Sequence, residues 1–151
     1  MLNGNLLLML RQVDICVSLY GSSKLEAYEI TPAQVFMLNE MFSIEQDKRL
    51  CASDLSMRMG FSRATVSSTL KQLRKKGYIQ MDMDAADNRK KPIVLTPKAY
   101  SKKSVVVQYM DDLTKCLCKG VPKHDLECME QTLKTFLVNV QQEATGRNDL
   151  C

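Results

Sequence analysis

Apolar positions along this chain recur at helical spacing over most of its length and at strand spacing in one short stretch. Residues 3–28 predict a helix, interrupted near Gly21, in which Leu6, Leu7, Leu8, Met9, Leu10, Val13, Ile15, Cys16, Val17, Leu19 and Tyr20 cover more than one face. A helix apolar most of the way round must be covered on several sides, and a second subunit is the economical way to do it. Thr31-Pro32 then supplies a helix N-cap followed by proline at the first helical position. Val35, Leu38 and Phe42 form that helix's buried stripe, with Met37 and Met41 beside it. A charged stretch at 44–49 follows, and Leu55 and Met59, four apart, mark a short helix ending at Gly60.

The run GFSRATVSSTLKQLRKKGY (60–78) organises the rest. Gly60, one residue before Phe61, is placed for the tight turn of a helix-turn-helix. Val66, Leu70 and Leu73 share one face of a helix from about Arg63 to Lys76, with Ser62 as its N-cap and Gly77 as its stop. Strand-like runs Tyr78–Met81 and Pro92–Leu95 flank a wing at 82–91. From Pro97 one long helix is expected to reach about Cys118, with Val106, Tyr109, Leu113 and Leu117 on one face, closed by Gly120. Pro122 opens a last helix carrying Leu126, Met129, Leu133, Phe136, Leu137 and Val140.

This order predicts a mainly α protein with a small β-hairpin wing. A winged helix-turn-helix DNA-binding domain covers 31–96, a helical dimerisation region covers 1–30 and 97–145, and 146–151 is a polar, frayed tail.

Charge sharpens the picture. The net charge of +4 is modest, but residues 58–103 hold 12 Lys/Arg against 3 Asp/Glu, while the rest holds 9 against 14. A basic middle between mildly acidic ends is the electrostatic footprint of a module facing nucleic acid. LLLML at 6–10 is too short to span a bilayer and lacks the charge layout of a signal peptide, so a cytoplasmic protein without a membrane partner is expected. Six irregularly spaced cysteines suit free thiols in a reducing compartment. With one histidine and no glycine-rich phosphate loop, no enzyme constellation and no cofactor site is visible.

On the helix 63–76, Ala64, Ser67, Ser68 and Lys71 lie away from the apolar spine. Arg63 and Ser68 suit base-edge contact, whereas Ser62, Thr65, Ser67 and Lys71 suit phosphates. A two-fold dimer would place two such helices about one DNA turn apart, on a pseudo-palindromic site in double-stranded DNA.

ITPAQVFML, DLSMRMGFSRATVSSTLKQLRKKGYI and DNRKKPIVLT together resemble the MarR family of bacterial transcriptional regulators over roughly residues 30–100. The resemblance implies that Arg89 enters the minor groove, that Asp87 orients it and that Lys90 and Lys91 lie over phosphates. Ala99 departs from the family, which usually has glycine there. The resemblance further implies a homodimeric regulator, expected to be a repressor, released by a small, often aromatic ligand held between arms and reader. Phe36, Met37, Met41 and Tyr109 are candidates for that pocket, although a core role is the plainer reading of them.

Two alternatives stay open. Cys16 in CVSLY is similar to the peroxide-sensing cysteine of the family's organic-hydroperoxide branch, although the tyrosines of that branch are missing from TPAQVF; Tyr20 and Tyr28 remain as partners. The other alternative, from a different class, is a winged helix serving as a protein-interaction module without DNA. Cys116, Cys118, His124 and Cys128 form a tempting set, but Cys116 and Cys118 sit about 200° apart on a helix, so no metal site is expected.

Overall fold

A computed structural model describes residues 4–44, 50–81 and 92–146 of the chain. It divides into two compact units, Met1–Asp111 and Asp112–Cys151.

The first unit opens with α1 (Asn5–Leu25), which continues unbroken through Gly21, followed by a single 3-10 turn (Glu26–Tyr28). The expected interruption at Gly21 is therefore absent. Glycine is there for space: a Cβ would stand 2.5 Å from the Tyr109 hydroxyl and 2.6 Å from Pro32 Cγ. α2 (Pro32–Ser43) begins on a capping box, with the Thr31 side chain accepting from Gln34 N–H and the Gln34 side chain accepting from Thr31 N–H. α3 (Ala52–Met59) starts with the Asp54 carboxylate accepting from Cys51 N–H at 2.8 Å. It ends at Gly60, whose φ of 66° in the left-handed region suits a residue without Cβ.

α4 (Arg63–Lys75) ends in a Schellman motif: Tyr78 N–H donates to Leu73 O and Gly77 N–H to Arg74 O, with Gly77 at φ 76°. The chain thereby turns straight into β1 (Ile79–Met81), which pairs antiparallel with β2 (Ile93–Leu95) in the register Ile79↔Leu95, Gln80↔Val94, Met81↔Ile93. Ile93 N–H also donates to Leu50 O at 2.8 Å, so the residue ahead of α3 is tied to the hairpin.

The core of this unit is Leu25, Val35, Met37, Leu38, Leu55, Val66, Leu70, Leu73 and Ile79. Phe42, expected in the α2 stripe, is only half-buried, its ring 5.7 Å from that of Tyr100.

The single long helix expected from Pro97 is two helices, α5 (Pro97–Ser101) and α6 (Lys103–Cys118), parted at Lys102. Thr96 caps α5 and also donates to Gly77 O, anchoring the strand end to the turn after α4. Ala99 is fully buried inside α5, an ordinary helical position that needs no glycine. Val106, Tyr109 and Leu113 are buried as expected, whereas Leu117 is exposed.

The second unit holds the end of α6, the turn at Gly120 (φ 77°) and α7 (Lys123–Gly146). Along α7, Leu126, Leu133 and Phe136 are half-buried, while Met129, Leu137 and Val140 are exposed. The tail residues 147–151 lie outside the described residues.

Candidate nucleic-acid interface

The face of α4 opposite its core stripe is built of short polar and basic side chains. Val66, Thr69, Leu70 and Leu73 turn inward, whereas Arg63, Ala64, Thr65, Ser67, Ser68 and Lys71 are all exposed. At about 100° per residue, Ala64, Ser68 and Lys71 form one line and Arg63 and Ser67 the line beside it. A surface with no large apolar side chain and two cations can approach a groove edge closely.

Ser62 has a structural task. Its hydroxyl accepts from Thr65 N–H at 3.1 Å and lies 2.8 Å from the Thr65 hydroxyl, so it caps the helix that presents the others. Thr69, which the apolar pattern passes over, donates to Thr65 O at 2.8 Å and so stays satisfied when buried. The α4 N-terminus begins at Arg63, and a helix N-terminus suits a phosphate. Asp87, Arg89, Lys90 and Lys91 lie outside the described residues.

The other end of α4 is fixed by contacts that periodicity does not reveal. Gln34, fully buried on α2, donates through Nε2 to Gln72 Oε1 at 2.8 Å. Lys76, the α4 C-cap, donates to Gln34 Oε1 at 3.0 Å and to Glu29 O at 2.6 Å. The spacing Thr31-x-x-Gln34 is a capping-box signature and was the available clue to Gln34. Tyr78 just beyond has its pKa raised above 10.0, by burial first and by the Glu29 carboxylate second.

The MarR family model matches residues 30–91, the segment holding α2, α3, α4 and the hairpin. Solved structures agree over nearly the whole chain. S. aureus MepR in its DNA complex is 25% identical, with a TM-score of 0.75 over 87% of this chain and 94% of that one. Residues 30–91 match the MarR family. A MarR protein from Peptoclostridium difficile shares the fold at 17% identity, with a TM-score of 0.80 over 95% and 92% of the two chains. The transcription regulator MarR from Oenococcus oeni, 21% identical, gives 0.73 over 87% and 98%. No curated protein matches the sequence. The family match and the fold shared with DNA-bound MepR support a winged-helix DNA-binding transcriptional regulator rather than an enzyme.

The remaining candidates separate clearly. Met37, Met41 and Tyr109 are core residues and Phe36 is half-buried. None of the four lines the cleft between α1 and α2. Cys16 is exposed on α1, not buried as a small hydrophobe in the single chain, and Tyr20 beside it lies with its ring 6.2 Å from that of Tyr109. Cys128 Sγ lies 3.6 Å from His124 Nε2 on exposed α7. Among the described residues no group of three or more His, Cys, Asp or Glu side chains is arranged to hold a metal. Among them, too, no helix is long and apolar enough to cross a membrane.

Proposed function

We propose that this regulator is a homodimeric repressor that reads a pseudo-palindromic operator with α4 and is released by a small-molecule effector. The observation that carries DNA reading is the exposed Arg63, Ala64, Ser67, Ser68 and Lys71 face of a helix capped at both ends in a MarR fold. Arg63 and Ser68 contact base edges, Thr65, Ser67 and Lys71 contact phosphates, and by the family resemblance Arg89, oriented by Asp87, enters the minor groove from the wing while Lys90 and Lys91 lie over phosphates. MepR, whose fold this chain shares, has been solved on DNA.

Homodimerisation is supported by apolar surface left open on the terminal helices. Leu7 is 72% and Leu19 66% exposed on α1, and Leu137 60% and Val140 69% on α7. Large apolar side chains left this open along a helix commonly mark a surface that a partner covers. Selection of bound genomic fragments, followed by titration of the recovered operator, tests the reading. Affinity should fall steeply with salt as phosphate contacts release counterions. Arg89→Ala should weaken binding by more than about 1 kcal/mol. A flat salt response, or an unchanged affinity in Arg89→Ala, counts against it.

Thiol sensing is the second reading, favoured by the exposure of Cys16. It requires that dilute organic hydroperoxide release DNA from the wild type and not from Cys16→Ser.

A further inference from the structure

His124 and Cys128 stand one helical turn apart at the start of α7, inside the second unit. Both are exposed, and Cys128 Sγ lies 3.6 Å from His124 Nε2. Residues four apart on a helix share a face, so the backbone brings the two together without help from another segment. Lys123 and Glu127, each one residue ahead of a member of the pair, form an ion pair of their own at 3.6 Å. The thiol and the imidazole are thus left facing each other.

A nitrogen and a sulfur donor at this separation match the bite of one tetrahedral metal ion. With Zn–N of about 2.0–2.1 Å, Zn–S of about 2.3 Å and an angle of about 109°, the two donors stand about 3.6 Å apart. A right angle at the metal would bring them to about 3.1 Å, and a linear arrangement would part them by roughly 4.3–4.4 Å. The observed distance therefore selects the tetrahedral geometry that zinc adopts with these ligand types. Little ordering is needed on binding, because the side chains already meet on one helix face.

The pair is also placed where it stays open. At about 100° per residue, Leu126, Met129, Leu133, Phe136, Leu137 and Val140 centre about 150° round α7 from the midpoint of His124 and Cys128. A second copy laid on that apolar stripe leaves the pair facing solvent. Cys116 and Cys118 do not complete a set with it, for no group of three or more His, Cys, Asp or Glu donors is assembled among the described residues.

We propose that His124 Nε2 and Cys128 Sγ form a two-donor chelate for a zinc ion, with water filling the remaining positions. Binding exchanges a proton for the metal: the Cys128 S–H bond breaks, an S–Zn bond forms and the proton leaves to solvent. The neutral imidazole gives its Nε2 lone pair and keeps its ring proton on Nδ1. The site goes beyond the DNA-binding reading and does not rest on it, since α7 belongs to the second unit and α4 to the first.

The test is calorimetric titration of the full chain with zinc chloride, its thiols kept reduced, followed by cobalt(II) as a coloured stand-in. The wild type should take up one zinc per chain at this pair and, with cobalt, show thiolate-to-metal charge transfer. Cys128→Ser and His124→Asn should each weaken zinc binding by about tenfold or more, at least what losing a partner outside the ligand shell costs. Cys16→Ser, which removes an exposed thiol elsewhere, should leave the affinity unchanged. Circular dichroism should be alike for all three variants, because the substituted positions are exposed. Unchanged zinc affinity in either Cys128→Ser or His124→Asn overturns the chelate. One zinc per two chains overturns the open site in favour of one closed by a second copy. Operator binding enters none of these outcomes, so failure here leaves the DNA-reading proposal standing.

Discussion

Gln34 on α2 donates through its buried Nε2 to Oε1 of Gln72 on α4 at 2.8 Å, joining those two helices. The same Gln34 oxygen accepts from Thr31 N–H and from the Lys76 ammonium, so one side chain serves an N-cap and a C-cap together.

Removing it leaves Lys76 and Thr31 N–H short of an acceptor and opens a gap in the core. Gln34→Ala should lower unfolding free energy by about 2 kcal/mol, read from urea midpoints at unchanged slope. Loss confined to DNA affinity, with stability intact, would show that the side chain does not hold the fold.

Tyr109 and Gly21 make a second linked pair. The Tyr109 hydroxyl is buried without a hydrogen-bond partner among the described residues, and it stands where a Gly21 Cβ would go. Tyr109→Phe removes a desolvated polar group and should be neutral or stabilising by up to about 1 kcal/mol. Gly21→Ala should cost about 1–3 kcal/mol through overpacking. Combining the two should recover part of that loss but not all, because the Pro32 ring still stands in the way. Strict additivity in the double-mutant cycle would mean that the hydroxyl and the Cβ never meet.

Capping and the proposed reading should be separable on α4. Ser62→Ala deletes the acceptor for Thr65 N–H and should lower stability by about 1 kcal/mol, with any loss of DNA affinity following from a frayed helix start. Ser68→Ala touches an exposed position and should leave the thermal midpoint within error while weakening operator binding. An operator titration and a melt on each variant distinguish the two.

Alkaline pH should destabilise the fold through its buried phenols. Burial raises the Tyr109 pKa above 10.0, with Tyr20 adding to it, and burial with Glu29 does the same for Tyr78. Folded protein thus keeps these protons when the unfolded chain has begun to lose them. The stabilisation is present below pH 10.0 and is lost as pH rises from there through the raised values. Urea midpoints measured from neutral pH to about pH 11 should fall at the alkaline end, and less so in Tyr109→Phe.

Most of the central domain is legible from local chemistry. Gly60 and Gly77 both adopt positive φ at the helix ends where they were expected to stop them. Ser62 and Thr31 cap the helices they precede, and Val66, Leu70 and Leu73 are buried together. Each of these depends on residues within one or two turns of one another, so spacing alone carries the information.

What the sequence by itself determined is therefore the element order, the caps and the exposed polar face of α4, since these follow from backbone preferences and periodicity. Tertiary structure decided the rest. The break at Lys102, the continuity of α1 through Gly21 and the cleft beside Glu29 come from how separate segments meet. So do the partners of Gln34 and Lys76, which lie 38 to 47 residues apart along the chain. A polar side chain's partner across such a span leaves no period in the sequence, because the packing of other helices brings the two together.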